Sequence, residues 1–279
     1  MFRRLREIYY VSWADLAFMK HNILNVILMS LMSPILYLIA FGYGLGGSAT
    51  IEYGGEQIKY VSFMLPGIIA LSTLSSSFTS TATRMNVQRL YYKSFDEMLM
   101  CPIHYSSIVI GKSILGILRG LLSSIVIFII GLALDIGMIP SLGFFAMVLL
   151  SCIAFSLLGE TAALVVKTHQ GMSLFNTLIV LPMTFLCGTF FSTASLPPIF
   201  QGILYMIPLT YSSELIRATA LGAEFPWILL IALLAYTVVF YFINLYLIKT
   251  RRLIVSPKVI SISNKEKLLL AQQTMTRKS

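Results

Sequence analysis

The chain has 279 residues, of which 57% are hydrophobic and only 11% charged, and its formal net charge is +9. Soluble domains carry about a quarter of their residues as charges, so this surface must face something other than water. The length accommodates six or seven apolar spans of about 20 residues each and leaves no room for a second, soluble catalytic domain. The basic residues flank the apolar runs instead of gathering in one patch. That excludes nucleic acid as the expected partner and makes membrane lipid the first one.

Residues 1–20 are predicted to form an N-terminal amphipathic interface helix. Phe2, Leu5, Tyr9, Trp13 and Leu16 recur at helical spacing, while Arg3, Arg4, Glu7 and Asp15 lie off that stripe. Such a helix lies in the headgroup region with its aromatic residues inserted. The polar stretch after Arg3, Arg4 and Arg6 lacks the apolar core of a signal peptide.

Six apolar spans follow, near 23–44, 60–83, 107–134, 142–166, 172–191 and 226–248. With both termini cytoplasmic, the inner segments hold seventeen basic residues, among them Arg84, Arg89, Lys93, Lys112, Lys167 and the eight from Lys249 onward. The outer segments hold only Lys59 and Arg217. This asymmetry fixes the orientation expected in the cytoplasmic (inner) membrane. The outer stretch 45–59, with four glycines, Glu52 and Glu56, reads as a short acidic loop, and 135–141 as a tight turn containing Asp135 and Pro140. Residues 251–279 read as a basic cytoplasmic tail, disordered or forming a short helix from Asn264.

Two segments that do not cross carry the most information. Residues 84–105, RMNVQRLYYKSFDEMLMCPIHY, alternate apolar Leu90, Phe95, Met98 and Leu99 with Arg84, Arg89, Lys93, Asp96 and Glu97. This suits a short helix along the cytoplasmic face that offers charge to a soluble partner, or a plain surface loop. Residues 192–225 are apolar but cut by Pro197, Pro198 and Pro208. They read as two outer re-entrant half-helices, since broken helices at membrane depth survive only in protein or at a cavity. Glu214 and Arg217, at i and i+3, can pair there.

Arg119 and Glu160 are intramembrane charges, each seven residues from a cytoplasmic-edge lysine, Lys112 or Lys167. At about 1.5 Å per residue both lie roughly 10 Å deep. Intramembrane charges are usually paired and face the bundle interior, so the expectation is a pair between spans three and four. Gly111-Lys112-Ser113 is not a phosphate-binding loop, because position 106 is Ser106 and an apolar span follows. Gly116 and Gly120 form a Gly-xxx-Gly step suited to close helix contact. Cys101, Cys152 and Cys187, and His21, His104 and His169, have no metal-ligand spacing. No nucleophile–base arrangement is present, so no catalytic, cofactor-binding or metal site is expected.

Three stretches resemble the permease subunits of ABC type-2 exporters. They are Leu65-Pro66-Gly67-Ile68-Ile69-Ala70; Arg84 through Glu97-Met98-Leu99 to Pro102, then Ile110-Gly111-Lys112; and Leu181-Pro182 through Leu186-Cys187-Gly188-Thr189-Phe190-Phe191 and Leu196-Pro197 to Pro208-Leu209-Thr210-Tyr211 and Arg217. The likeness covers about residues 5–250 and is greatest to exporters of lipo-oligosaccharides and of drugs. It implies an all-α transmembrane domain over 1–250 and a homodimer or paired permease. It also implies two cytoplasmic ABC ATPase subunits that bind ATP and Mg, docking on the 1–20 helix and the 84–101 loop. The outer half-helices would cap an export path for a lipid-linked saccharide, a lipid or a drug. The other class consistent with the residues is an ion-coupled secondary carrier with Arg119 and Glu160 as coupling charges.

Overall fold

The computed structural model describes residues 2–40, 50–53, 56–133, 141–190, 197, 201–202 and 204–276; side chains past Arg252 and several over residues 24–33 lie outside that description. The turn containing Asp135 and Pro140, residues 41–49 and Pro198 lie outside the described residues.

Helix α1 (Phe2–His21) is followed after Asn22 by α2 (Ile23–Tyr37). A hairpin comes next: β1 (Thr50–Tyr53) pairs antiparallel with β2 (Glu56–Lys59), with Ile51 opposite Ile58. This corrects the expected outer loop over its second half. The alternation of Ile51 and Tyr53, mirrored by Ile58, lets one side of the ribbon sit on the helix below. Tyr53 stacks edge-on with Phe63, ring centroids 5.6 Å apart.

Helix α3 (Tyr60–Leu90) runs 31 residues and is the buried axis of the bundle. It includes a π-helical turn, Leu74–Phe78, sequence LSSSF. Its hydroxyls bond back within the helix: Ser72 to the Ile69 carbonyl and Thr73 to the Ala70 carbonyl, both at 2.7 Å, and Ser75 to the Leu71 carbonyl at 2.8 Å. A polar helix can thus be buried without leaving those donors unpaired. The helix continues past residue 83 to Leu90, so Arg84 and Arg89 belong to it and not to a loop. Only α4 (Ser94–Met100) is the expected short cytoplasmic helix, seating Phe95 and Leu99 in the core.

Helix α5 (Tyr105–Ala133) has 29 residues, about 43 Å at 1.5 Å per residue. Helix α6 (Leu142–Val165) starts where Ser141 caps it, the Ser141 hydroxyl accepting from the Phe144 amide at 3.1 Å. Helix α7 is built from His169–Phe175, a π turn Asn176–Val180 and Leu181–Leu186, end to end. Helix α8 (Pro208–Leu221) has proline in its first turn and Gly222 just past its end at φ 71°, where only a missing Cβ makes the backbone easy.

Helix α9 (Trp227–Thr276) passes without a break through the expected boundary at 250/251 and past Asn264. No glycine or proline interrupts 227–256, so nothing stops the helix at the end of its apolar run. Among the described residues four helices are long and apolar enough to cross a membrane: Tyr60–Leu90, Tyr105–Leu132, Leu142–Val165 and Trp227–Arg252. Helices α2 and α7 stand where the first and fifth spans were expected.

Candidate functional site

Four polar side chains from three helices meet at one end of the bundle. Asp15 is buried, and its Oδ1 accepts from Arg84 Nε at 2.8 Å and Gln88 Nε2 at 2.7 Å. Its Oδ2 accepts from Lys112 Nζ at 2.9 Å, and Lys112 also donates to Gln88 Oε1 at 2.7 Å. The Arg84 guanidinium covers the Phe18 ring, 4.3 Å from its centroid. Every charge here is hydrogen-bonded, which is the condition under which a buried ion pair is tolerated.

The junction exists because α1 lies against α5 with almost no space between them. A Cβ on Gly111 would come within 2.6 Å of Val11 Cγ1, so glycine is what lets the two helices approach. Ile8, Val11, Ser12 and Asp15 form the inner face of α1, while Leu5, Tyr9 and Trp13 of the apolar stripe are exposed. The stripe therefore faces away from the bundle. Asp15, however, is not on a solvated face. Near the N-terminus, Glu7 Oε2 accepts from the His104 amide at 3.2 Å and Ser107 Oγ at 3.0 Å, and Arg3 lies 3.4 Å from Glu7 Oε1. The His104 amide holds the Glu7 carboxyl below its ordinary value.

Of the five residues expected to meet a soluble partner, two point inward. Arg84 is held by Asp15, and Arg89 is buried, its Nη1 donating to the Ala163 carbonyl. Asp96 pairs with Arg251 at 3.1 Å, and Arg252 donates to the Ile103 and Cys101 carbonyls at 3.3 and 3.0 Å. Lys93 (at φ 56°) and Glu97 remain exposed, together with Tyr91 and Tyr92.

A seam of small and hydroxyl residues joins α3, α5 and α6. A Cβ on Gly120 would press on Cys152 Sγ at 2.8 Å, and one on Gly159 would lie 2.6 Å from the Phe78 carbonyl oxygen. The Gly-xxx-Gly step is therefore a close-contact device, as its spacing suggested. Thr81 and Ser156 hydroxyls lie 2.8 Å apart, and Ser156 donates to the Ser113 carbonyl at 2.8 Å. Ser113 donates to Glu160 Oε2 at 3.2 Å. Arg119 and Glu160 do not pair among the described residues. Glu160 is turned to Ser113, while Arg119 faces a cavity beside α1 and α2. Glu160 is level with Ser113, while Gly120 beside Arg119 lies against Cys152, so the two charges sit at different levels of the α5–α6 contact.

At the opposite end, Arg217 is fully buried on α8. It pairs with Glu214 at 2.9 Å, as the i, i+3 spacing predicts, and donates to the Phe63 carbonyl at 3.1 Å and the Gly188 carbonyl at 3.0 Å. Its guanidinium carbon sits 3.8 Å from the Phe63 ring centroid. Burial, reinforced by the charge of Glu214, pushes the Tyr53 hydroxyl up to about 12. Pro208 opens α8 and Pro197 is exposed; the segment between α7 and α8 is described too sparsely to place two half-helices.

Sequence reasoning missed Asp15, Gln88 and Lys112 as a unit. The available signal was Asp15 at i+7 from Ile8 and i+4 from Val11, an acidic residue in line with apolar ones. Among the described residues no cluster of His, Cys, Asp and Glu could hold a metal ion.

These features have relatives. The family model described as "ABC-2 type transporter" matches residues 6–221. The chain is 28% identical over 239 residues to the inner membrane transport permease YadH of Escherichia coli, covering 83% of this chain and 92% of that protein. It is 28% identical over 251 residues to nodulation protein J of Bradyrhizobium diazoefficiens, covering 88% and 91%. Nodulation protein J of Neorhizobium galegae is 27% identical over 228 residues, covering 81% and 86%. The apolar helices, the glycine seam and the match over residues 6–221 agree: the chain belongs to the ABC-2 type transporter family, as a membrane permease component of an ABC transporter.

Proposed function

We propose that the chain crosses the cytoplasmic membrane six times with both termini inside, and exports an amphipathic substrate using ATP and Mg bound by partner ATPase subunits. The observation that carries this reading is the Asp15 junction. Asp15 on the interface helix is hydrogen-bonded at once to α3 and α5. A push delivered to α1 from the cytoplasm therefore reaches two central helices through short, charge-assisted bonds.

The permease works as a homodimer or paired permease. The ATPases dock on α4 and the preceding turn, where Lys93, Glu97, Tyr91 and Tyr92 are exposed. The resemblance to lipo-oligosaccharide exporters favours a lipid-linked saccharide over other amphiphiles; lipids and drugs are the remaining substrate classes. Movement of the substrate runs from the inner leaflet outward, and the segment that includes Pro197, Pro208, Glu214 and Arg217 closes the outer end of the path. Neither Arg119 nor Glu160 serves as a coupling charge.

The test is charge reversal at the exposed pair Lys93 and Glu97, with an ABC ATPase from the same genome co-expressed. Loss of ATPase from washed membranes, with the permease still present, is the expected result. Undiminished retention by the doubly reversed chain rules out docking at α4.

A further inference from the structure

A cavity of about 440 Å³ opens between the α1–α2 junction, α3 and α5. That volume lies within the roughly 300–1,000 Å³ of ordinary ligand sites. Its lining includes Arg84 and Arg119 and no acidic side chain; Asn22, Asn25, Ser80 and Thr83 supply neutral polar groups. Arg119 Nε is buried without a hydrogen-bond partner among the described residues. An arginine at membrane depth is costly unless paired.

An anion in the cavity would supply that partner, and the apolar surroundings favour an amphiphile as its carrier. The cavity wall contains Phe18, Val87 and Leu115. Phe18, Ile23 and Leu28 of the α1–α2 segment are exposed apolar residues, and Tyr9, Tyr10 and Trp13 are exposed on α1. A soluble anion gains nothing from these apolar neighbours, whereas an amphiphile can lay its chains along α2. We infer that this cavity binds the phosphate headgroup of an anionic glycerophospholipid from the inner leaflet. The arginine fork suits phosphate oxygens, which accept two parallel N–H bonds. The bound lipid joins the α1–α2 corner to α3 and α5 and acts as a structural ligand, distinct from any transported molecule.

The full-length chain, purified in zwitterionic detergent, is examined by native mass spectrometry and thermal unfolding with phosphatidylglycerol, phosphatidylcholine or inorganic phosphate. Phosphatidylglycerol should be retained and raise Tm, and phosphatidylcholine should do neither. In Arg119→Gln, phosphatidylglycerol affinity should fall about tenfold or more, the cost of one lost charge-assisted contact. Thr83→Phe fills the cavity from an exposed position without removing a charge, and should give the same loss with an unchanged lipid-free Tm. Equal retention of phosphatidylglycerol by both variants overturns the inference. Stabilisation by inorganic phosphate alone overturns the lipid assignment in favour of a soluble anion.

Discussion

Asp15 and Lys112 lie 97 residues apart in sequence and 2.9 Å apart in space, both buried. The pair fastens α1 to α5, with Gln88 bonded to both residues and Arg84 completing the carboxylate. Removing one partner of such a pair leaves an uncompensated buried charge, which costs about 3–5 kcal/mol. Asp15→Leu should therefore lower Tm and folded yield sharply. Adding Lys112→Met should recover part of the loss, with a coupling of about 0.5–3 kcal/mol in a double-mutant cycle. Strictly additive losses would show that the two residues act independently.

The glycine seam should be intolerant of volume. At Gly159 an added Cβ meets the Phe78 carbonyl oxygen at 2.6 Å, a backbone atom that cannot swing away. Gly159→Ala should cost about 1–3 kcal/mol through overpacking. Gly202→Ala is the control, because a Cβ there meets nothing within 4 Å. Thermal unfolding in detergent separates the two, and equal Tm values would remove the seam from the account.

Arg217 should be irreplaceable by lysine. Its guanidinium serves the Glu214 carboxylate and two backbone carbonyls, from Phe63 and Gly188, while lying over the Phe63 ring. A single ammonium cannot cover those directions at once. Arg217→Lys should lose about 2 kcal/mol or more, since buried carbonyls are left unpaired. Glu214→Gln should lose less, because its carboxylate is partly exposed. Similar stability of Arg217→Lys and the unaltered chain in chemical denaturation would contradict this.

The attachment of the first turns of α1 should depend on pH. The Glu7 carboxyl is held below its ordinary value by the His104 amide, with Ser107 and Arg3 assisting. A depressed folded-state pKa means the contribution is present above the ordinary carboxylate value and fades as pH falls through the depressed one. Amide exchange across residues 2–10, corrected for intrinsic rates, should accelerate in acid. In Glu7→Gln that pH dependence should vanish; persistence would assign it to another group.

Much of the fold is legible in the sequence because apolar runs and basic flanks report directly on what each segment touches. The four long helices, the N-terminal helix and the Glu214–Arg217 pair follow from periodicity and local spacing. What was hidden is what non-local packing decides. Asp15 looks solvated until Lys112 and Gln88 are placed opposite it. Arg84 and Arg89 count as loop charges if the helix ends at residue 83, yet it runs to Leu90 and turns both inward. The equal offsets of Arg119 and Glu160 from their flanking lysines hide that Glu160 meets Ser113, six residues before Arg119 on α5, while Arg119 lines a cavity. The hairpin at Thr50–Lys59 was hidden for a different reason: its alternation is only four residues long on each strand.

The central claim is that this chain moves substrate while a separate subunit hydrolyses ATP. The most direct measurement is ATP hydrolysis by washed membranes containing the chain alone, an ABC ATPase from the same genome alone, or both. The account predicts background hydrolysis with the chain alone, no membrane-bound ATPase without it, and vanadate-sensitive hydrolysis only when both are present. Hydrolysis by the chain alone, or membrane recruitment of the ATPase without it, would contradict the account.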